Sequence, residues 1–343
     1  MRRIPLFIGS ICLLFLISLS CHNNPTGPVQ RLPINPNIKR ITFDGDLSIA
    51  LVLHSNDYFP VFDKTGGYAY YIRFTQAPNQ YNGIWKVDTS GREDAYQARQ
   101  SDSEKVPGIF SYLEISHDGQ WLVAVEGSSI LQAGELVLFD TYSFTEHDIS
   151  DSIMLYAFSA VFTPDNEHII FMGTDNPPTG KNLGFYLYDM QTGKDSLIGG
   201  FDSAQPYGYD VSPDGKSLIY GIYGYNNGHH IGYRIFDLQT GTIDSSSTIY
   251  GEWFRYSPDG SRVLFSDNSE PFYGPSDTVG VITLATKQVT VLNVNADGDP
   301  INFNYTPYLN WMRDGRGIIY CQAPLMYDGG YQEISDLYIL RSF

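Results

Sequence analysis

The sequence predicts an all-β fold, a six-bladed β-propeller of four-stranded antiparallel blades closed by an N-terminal strand, and three observations carry that expectation. A turn element recurs through the body at a spacing of 45 to 55 residues. Four short strand-like segments fit within each period, which is the signature of a propeller blade. The last period ends one strand short, and a strand-like segment stands ahead of the first period to complete it.

The turn reads SHDG from Ser116, TPDN from Thr163, SPDG from Ser212, SPDG from Ser257 and MRDG from Met312. Its aspartates, Asp118, Asp165, Asp214, Asp259 and Asp314, are separated by 47, 49, 45 and 55 residues, and a fainter copy, FDKTGG around Thr65, stands 53 residues before Asp118. Proline presets φ at about −65°, aspartate bonds nearby amides, and glycine takes the positive φ that closes a hairpin.

A β-rich apolar stretch follows each turn: Trp121 to Val125, Ile169 to Met172, Leu218 to Tyr223, Val263 to Ser266 and Ile318 to Cys321. A short strand precedes it. Three positions before each aspartate stand Ile115, Phe162, Val211, Tyr256 and Trp311, all large and apolar, and expected to face a blade interior. The third strand is written in GIWKVDTSG, GELVLFDTY, GFYLYDMQTG, GYRIFDLQTG, VGVITLATK and ISDLYILRSF, and a fourth lies between each of these and the next copy.

The combination SPDGK…LIY…IFDLQTG resembles the WD-like β-propeller repeat of TolB, shared with the propellers of tricorn and prolyl-oligopeptidase-like peptidases, over about residues 59 to 343. The first two copies, with FDKTGG and SHDG, depart from the repeat, which leaves the boundaries of those blades open. Peptidases with this repeat carry an added α/β-hydrolase domain for which no residues remain here. TolB carries an N-terminal domain where this chain has only about twenty tether residues, so the resemblance implies a propeller and not a Tol-system role.

In the sixth copy the chain ends after the third strand, at Phe343. An open strand edge leaves backbone groups unpaired and invites aggregation. The expected donor of the missing strand is Ile38 to Phe43 or Ser48 to Leu53.

Ahead of the repeats, Arg2 and Arg3 precede an apolar run from Ile4 to Leu19, then Ser20 and Cys21. The run is shorter than the roughly 20 residues of a spanning helix, and the polar, proline-rich stretch that follows does not suit a stop-transfer flank, so residues 1–20 read as a secretory signal peptide. Ser18-Leu19-Ser20-Cys21 resembles the bacterial lipobox, which implies lipidation of Cys21. Ser18 stands where lipoboxes carry Leu, so an ordinary signal peptide with an incidental cysteine is the alternative. The expected organisation is 1–20 signal peptide, 21–37 lipidated cysteine and tether, and 38–343 propeller, the body a monomer exported to the cell envelope. It would be held on a membrane, the outer one by expectation, by its acyl chains alone and face the periplasm or the exterior.

The formal charge of −17 becomes more negative once Arg2 and Arg3 are removed, which excludes nucleic acid as an expected partner and argues against attraction to anionic lipid. Of three cysteines only Cys321 falls in the body, in the apolar run Ile318 to Cys321, where it reads as a buried strand residue.

In a propeller, the loops joining second to third strands and blade to blade gather on one face around the channel, and here these are the long, irregular segments. Their candidate ligand-binding residues are Tyr81, Tyr207, Tyr223, Tyr225, Trp253, Phe272, Tyr273, Tyr305, Tyr327 and Tyr331, whose flat rings and polar tips suit protein, peptide or glycan partners; loop packing is the plainer role for part of this set. Glu114, Asp210, Arg255 and Asn310, each one position before the buried strand residue, are expected to line the channel, with Val161 interrupting the series. They would form either a small polar ligand site or a satisfied ion-pair network.

Asn293, Asn295, Asp297 and Asp299 resemble the first half of a calcium loop, although Asn304 replaces the bidentate glutamate and Pro300 is unusual there. His229-His230 reads as a solvated loop. No GxSxG elbow, HExxH helix or phosphate-cradling glycine loop is present. The leading expectation is therefore a binding lipoprotein without catalysis or cofactor. The alternatives are a propeller lyase or hydrolase acting on polysaccharide through Glu114, Asp210, Arg255 or His229, and a calcium-stabilised adhesion module.

Overall fold

The computed structural model describes residues 35–42, 55–75, 83–90, 96–100, 109–127, 134–149, 156–174, 183–200, 205–224, 229–246, 251, 253–268, 277–294, 308–322 and 336–342. Strand β1 (Ile38–Arg40) stands apart from the first blade, which is built of β2 (Ser55–Phe62), β3 (Tyr68–Thr75), β4 (Gly83–Asp88) and β5 (Tyr96–Gln100). The second blade holds β6 (Ile109–Ile115), β7 (Trp121–Gly127), β8 (Glu135–Asp140) and β9 (Glu146–Asp148), and the third holds β10 (Tyr156–Phe162), β11 (His168–Thr174), β12 (Gly184–Asp189) and β13 (Lys194–Gly200). The fourth holds β14 (Gln205–Val211), β15 (Ser217–Gly224), β16 (His229–Asp237) and β17 (Ile243–Ser246), and the fifth holds β18 (Trp253–Tyr256), β19 (Arg262–Asn268), β20 (Asp277–Thr283) and β21 (Gln288–Val291). The sixth has β22 (Leu309–Trp311), β23 (Gly317–Gln322) and β24 (Asp336–Arg341), with β1 as its outer strand. All pairings within these six four-stranded sheets are antiparallel and join neighbours in sequence, except for that one exchange.

Blades are covered on both faces by their neighbours, so their middle strands read as unbroken apolar runs instead of alternating ones. Leu122, Val123, Ala124 and Val125 are all fully buried. The outer strand β21 has no such cover and is exposed along its whole length. The five residues expected to face blade interiors, Ile115, Phe162, Val211, Tyr256 and Trp311, are buried.

The turn chemistry repeats as the sequence suggests. The Ser116 hydroxyl donates to Asp118 Oδ1 at 2.6 Å and accepts the Trp121 amide at 2.9 Å, while Asp118 Oδ1 accepts the Gln120 amide. Thr163 with Asp165, Ser212 with Asp214 and Ser257 with Asp259 repeat the bond at 2.6 Å. In the first blade Asp63 substitutes for the serine and accepts from the Thr65 hydroxyl and the Tyr68 amide. The fourth turn position needs a left-handed backbone, and Asn166 (φ 60°) serves in TPDN where glycine serves elsewhere.

Ring closure uses the first of the two expected segments. Ile38, Lys39 and Arg40 pair with Leu340, Ile339 and Tyr338. Beyond the strand, the Ile41 amide donates to the Leu337 carbonyl at 2.9 Å and the Leu337 amide donates to the buried Thr42 hydroxyl at 2.9 Å. The Lys39 ammonium binds the Ser90 carbonyl in the first blade, tying the closing strand to the neighbour it joins. Ser48 to Leu53 lies outside the described residues.

Two placements differ from the sequence reading. Tyr207 lies within β14 and His229-His230 opens β16 opposite Gly224 and Tyr223, so these strands extend further toward the loop end than the glycine and asparagine content suggests, while Tyr223 falls in β15 where the apolar stretch from Leu218 places it. Pairing to β15 overrides the local turn propensity of that segment.

Candidate functional site

The innermost strand of every blade runs from the loop end of the channel to the turn end. At corresponding positions near the turn end the six strands present Val61, Glu114, Val161, Asp210, Arg255 and Asn310 to the axis. The sequence series thus comes together at one level, with valines in the first and third blades.

Arg255 is the centre of this layer. It stands on the fifth blade, 5% exposed, and its Nη2 reaches across the axis to Glu114 Oε2 on the diametrically opposed second blade at 2.9 Å. The same nitrogen donates to the Tyr112 hydroxyl at 3.0 Å, and Nη1 donates to the Tyr209 carbonyl at 3.4 Å. Asp210 lies further off, its Oδ1 at 3.9 Å from Nη1. Burial opposes the guanidinium charge, but Tyr112, Glu114 and Asp210 hold Arg255 protonated above its ordinary value.

The polar side chains of the layer also organise backbone. Glu114, Asp210 and Asn310 each accept the amide of the next residue, at 3.2, 2.8 and 2.9 Å, and Asp210 Oδ2 accepts the Tyr256 amide of the following blade at 2.8 Å. Trp311 donates its indole N–H to the Arg255 carbonyl at 3.0 Å. Burial pushes the Asp210 carboxyl up to about 7, with Arg255 opposing and Glu114 adding to the rise.

On the loop side of Arg255 an aromatic plug fills the channel. Phe59 packs on Tyr308 with ring centroids 3.8 Å apart, and Tyr112 at 5.1 Å and Trp253 at 5.8 Å surround it. Trp253 in turn meets Tyr308 edge-on at 5.0 Å. Phe59 sits in a bulge of β2 between Tyr58 and Val61 with φ 52°, a left-handed conformation that costs a bulky residue about 1 to 2 kcal/mol. That cost is offset by burying the ring at the centre of the plug.

On the turn side of Arg255 lies a cavity of about 140 Å³. Glu114, Asp210 and Arg255 form its inner end, Val161, Phe162, Val211 and Trp311 its apolar walls, and His117 and Arg313 its mouth. Arg313 donates from Nη2 to the Ser116 carbonyl at 3.1 Å, while its Nε is buried without a partner among the described residues. Desolvation at the crowded mouth, together with the Arg313 charge, holds His117 below its ordinary pKa.

Tyr112, Phe59, Tyr308, His117 and Arg313 escaped the sequence reading. For the last two a signal exists: the second turn position is proline in the third, fourth and fifth blades, but Lys64, His117 and Arg313 in the first, second and sixth. Three basic residues replace proline on three adjacent blades.

Trp253 is the single aromatic candidate whose side chain is described, and it is buried in the plug, so it is a channel residue instead of a surface one. Tyr207 and Tyr223 have described backbone alone, and Tyr81, Tyr225, Phe272, Tyr273, Tyr305, Tyr327 and Tyr331 lie outside the described residues, as does Cys21. Of the suggested calcium loop only Asn293 is described; its carbonyl accepts from the Asn35 side chain at 2.7 Å, and Asn295, Asp297 and Asp299 lie outside. Asp165, Glu167 and His168 cluster on the third turn, but Asp165 is engaged by Thr163, the Glu167 amide and His168. Cys321 is buried in β23, as expected.

No protein-family model and no curated protein sequence matches the chain. Solved structures match its fold. An oligogalacturonate lyase in complex with manganese aligns with a TM-score of 0.52 at 13% identity over 89% of this chain and 93% of that one. The oligogalacturonate lyase of Vibrio parahaemolyticus gives 0.53 at 13% identity over the same shares. Hydrazine synthase of Kuenenia stuttgartiensis gives 0.50 at 14% identity over 78% of this chain and 76% of that one. At such identities the likeness establishes the class, a six-bladed β-propeller. Within that class this chain is a ring whose channel is closed by an aromatic plug over a trans-axial arginine–glutamate pair.

Proposed function

We propose that this chain is an exported, lipid-anchored propeller of the TolB-like kind that binds an envelope protein, peptide or glycan through its loop end and performs no catalysis there. The observation that carries the reading is the plug. Phe59, Tyr112, Trp253 and Tyr308 fill the channel directly beneath the loop end, so that end is backed by a packed aromatic floor and not by the mouth of a tunnel. A rigid ring that collects its long connections on one closed face suits recognition of a broad surface. Arg255 and Glu114, which would otherwise be raw material for acid–base chemistry, are paired with each other beneath the plug, and Tyr112 of the plug accepts from Arg255.

The test is a pull-down from native envelope extracts with the mature chain beside a variant carrying Tyr223→Ala, Tyr225→Ala, Tyr273→Ala and Tyr327→Ala. The expected result is one retained protein or glycan that the variant loses while keeping its melting temperature. Equal retention by both forms, or none by either, overturns the loop-face reading and makes a lyase and hydrolase substrate screen the next step.

A further inference from the structure

The cavity at the turn end is separate from the loop face and independent of the proposal above. We propose that it is a binding site for a compact zwitterion, a free amino acid no larger than serine, held with its ammonium toward Asp210 and its carboxylate toward Arg313 and His117.

Glu114 and Arg255 neutralise each other at 2.9 Å, which leaves Asp210, at 3.9 Å from the guanidinium, as the acid in excess at the inner end. Its two oxygens already accept the Val211 and Tyr256 amides, and such bonds favour the ionised form that burial opposes. An ammonium beside it would supply the missing compensation.

Across the cavity the imbalance has the opposite sign. Arg313 has one carbonyl partner and a buried Nε with none among the described residues. The carboxylates that act on Arg313 are Glu114, which is paired with Arg255, and Asp63 and Asp118, which are engaged by their own turns, Asp63 with Thr65 and Tyr68 and Asp118 with Ser116 and Gln120. His117 stands beside Arg313. These basic residues belong to the second and sixth blades, which flank the first, and Asp210 belongs to the fourth, on the opposite side of the ring. A lone anion would meet Asp210, and a lone cation would meet Arg313, so a ligand carrying both charges satisfies the two ends together.

The volume of about 140 Å³ suits a molecule of about six non-hydrogen atoms, the size of a small amino acid. The walls of Val161, Phe162, Val211 and Trp311 are apolar, as a small aliphatic backbone between two charges requires.

The experiment is saturation-transfer NMR and thermal shift on the mature chain with glycine, alanine and serine, each against acetate and methylammonium at equal concentration. The expected result is binding and a concentration-dependent rise in Tm for the amino acids, at least tenfold weaker binding of either half-molecule, and at least tenfold weaker glycine binding in Arg313→Gln and in Asp210→Asn. His117→Ala, at the mouth of the cavity and with its melting temperature checked beside the parent chain, is expected to weaken binding several-fold. No response to any of the three amino acids overturns the proposal, as does acetate or methylammonium binding as tightly as glycine, or unchanged glycine affinity in folded Arg313→Gln and His117→Ala.

Discussion

Arg255 joins opposite sides of the ring through one side chain. Its partners lie on the second and fourth blades, so the cation compensates Glu114 and contributes to holding Asp210 and Tyr112 in place at once. Replacing a member of a buried ion pair leaves the other charge uncompensated, at a cost of about 3 to 5 kcal/mol. Arg255→Met is expected to lower the urea midpoint accordingly, and adding Glu114→Gln is expected to recover part of the loss, because the stranded carboxylate is then gone. Full additivity of the two changes would show that the pair does not act as a unit.

Asp210 gives the fold a pH-dependent stability. Its folded-state pKa of about 7 stands above the ordinary 3.8, so the native chain keeps a proton that the unfolded chain has released between those values. Stability contributed through Asp210 therefore falls as pH rises from about 4 to about 7 and stays lost above that. The groups that face it and set this behaviour are Arg255, Glu114, Tyr112 and Tyr256, with the Val211 amide. Denaturant midpoints at pH 5 and pH 8 are expected to differ less in Asp210→Asn than in the parent chain.

At the scale of elements, the closing strand and the plug hold the ring from outside and inside. Strand β1 supplies the sixth blade with its fourth strand through three paired residues, the Ile41 to Leu337 bond and the Lys39 reach to Ser90. Lys39→Pro removes a ladder donor at the centre of that outer strand, and losing such a hydrogen bond costs about 0.5 to 1.5 kcal/mol. Hydrogen exchange is expected to show β24 amides losing protection while the second to fourth blades keep theirs. Uniform loss through the ring would mean that closure governs every blade equally. In the plug, Trp253→Ala removes a ring packed against Phe59, Tyr112 and Tyr308 and is expected to cost about 3 to 5 kcal/mol by denaturant unfolding.

For the whole molecule, the proposed anchor and the ring divide the work. Acyl chains on Cys21 would contribute about 0.8 kcal/mol per buried methylene, enough to hold the chain on a membrane while the acidic body stays in water. Cys21→Ser is expected to abolish incorporation of labelled palmitate and to move the chain from the membrane to the soluble fraction. Retained membrane partition without label would place the attachment elsewhere.

The ring itself was legible from local chemistry: the SPDG-type turn closes a hairpin wherever it occurs, and Ile115, Phe162, Val211, Tyr256 and Trp311 repeat the buried strand position that such a hairpin requires. The channel series Glu114, Asp210, Arg255 and Asn310 was readable for the same reason, since strand alternation sets its face relative to those residues. The trans-axial pairing of Arg255 with Glu114 was not, because those residues are separated by three blades and meet only when the ring closes. Nor was the plug: Phe59 reaches the axis through a bulge and a left-handed backbone that no residue pattern announces, and Tyr112 and Tyr308 meet it only when the curvature of the ring brings them together. Sequence alone determined the repeat and its turns, because those follow from contacts between near neighbours; the tertiary structure decided which N-terminal segment closes the ring and what occupies the axis, because both depend on strands far apart in the chain meeting.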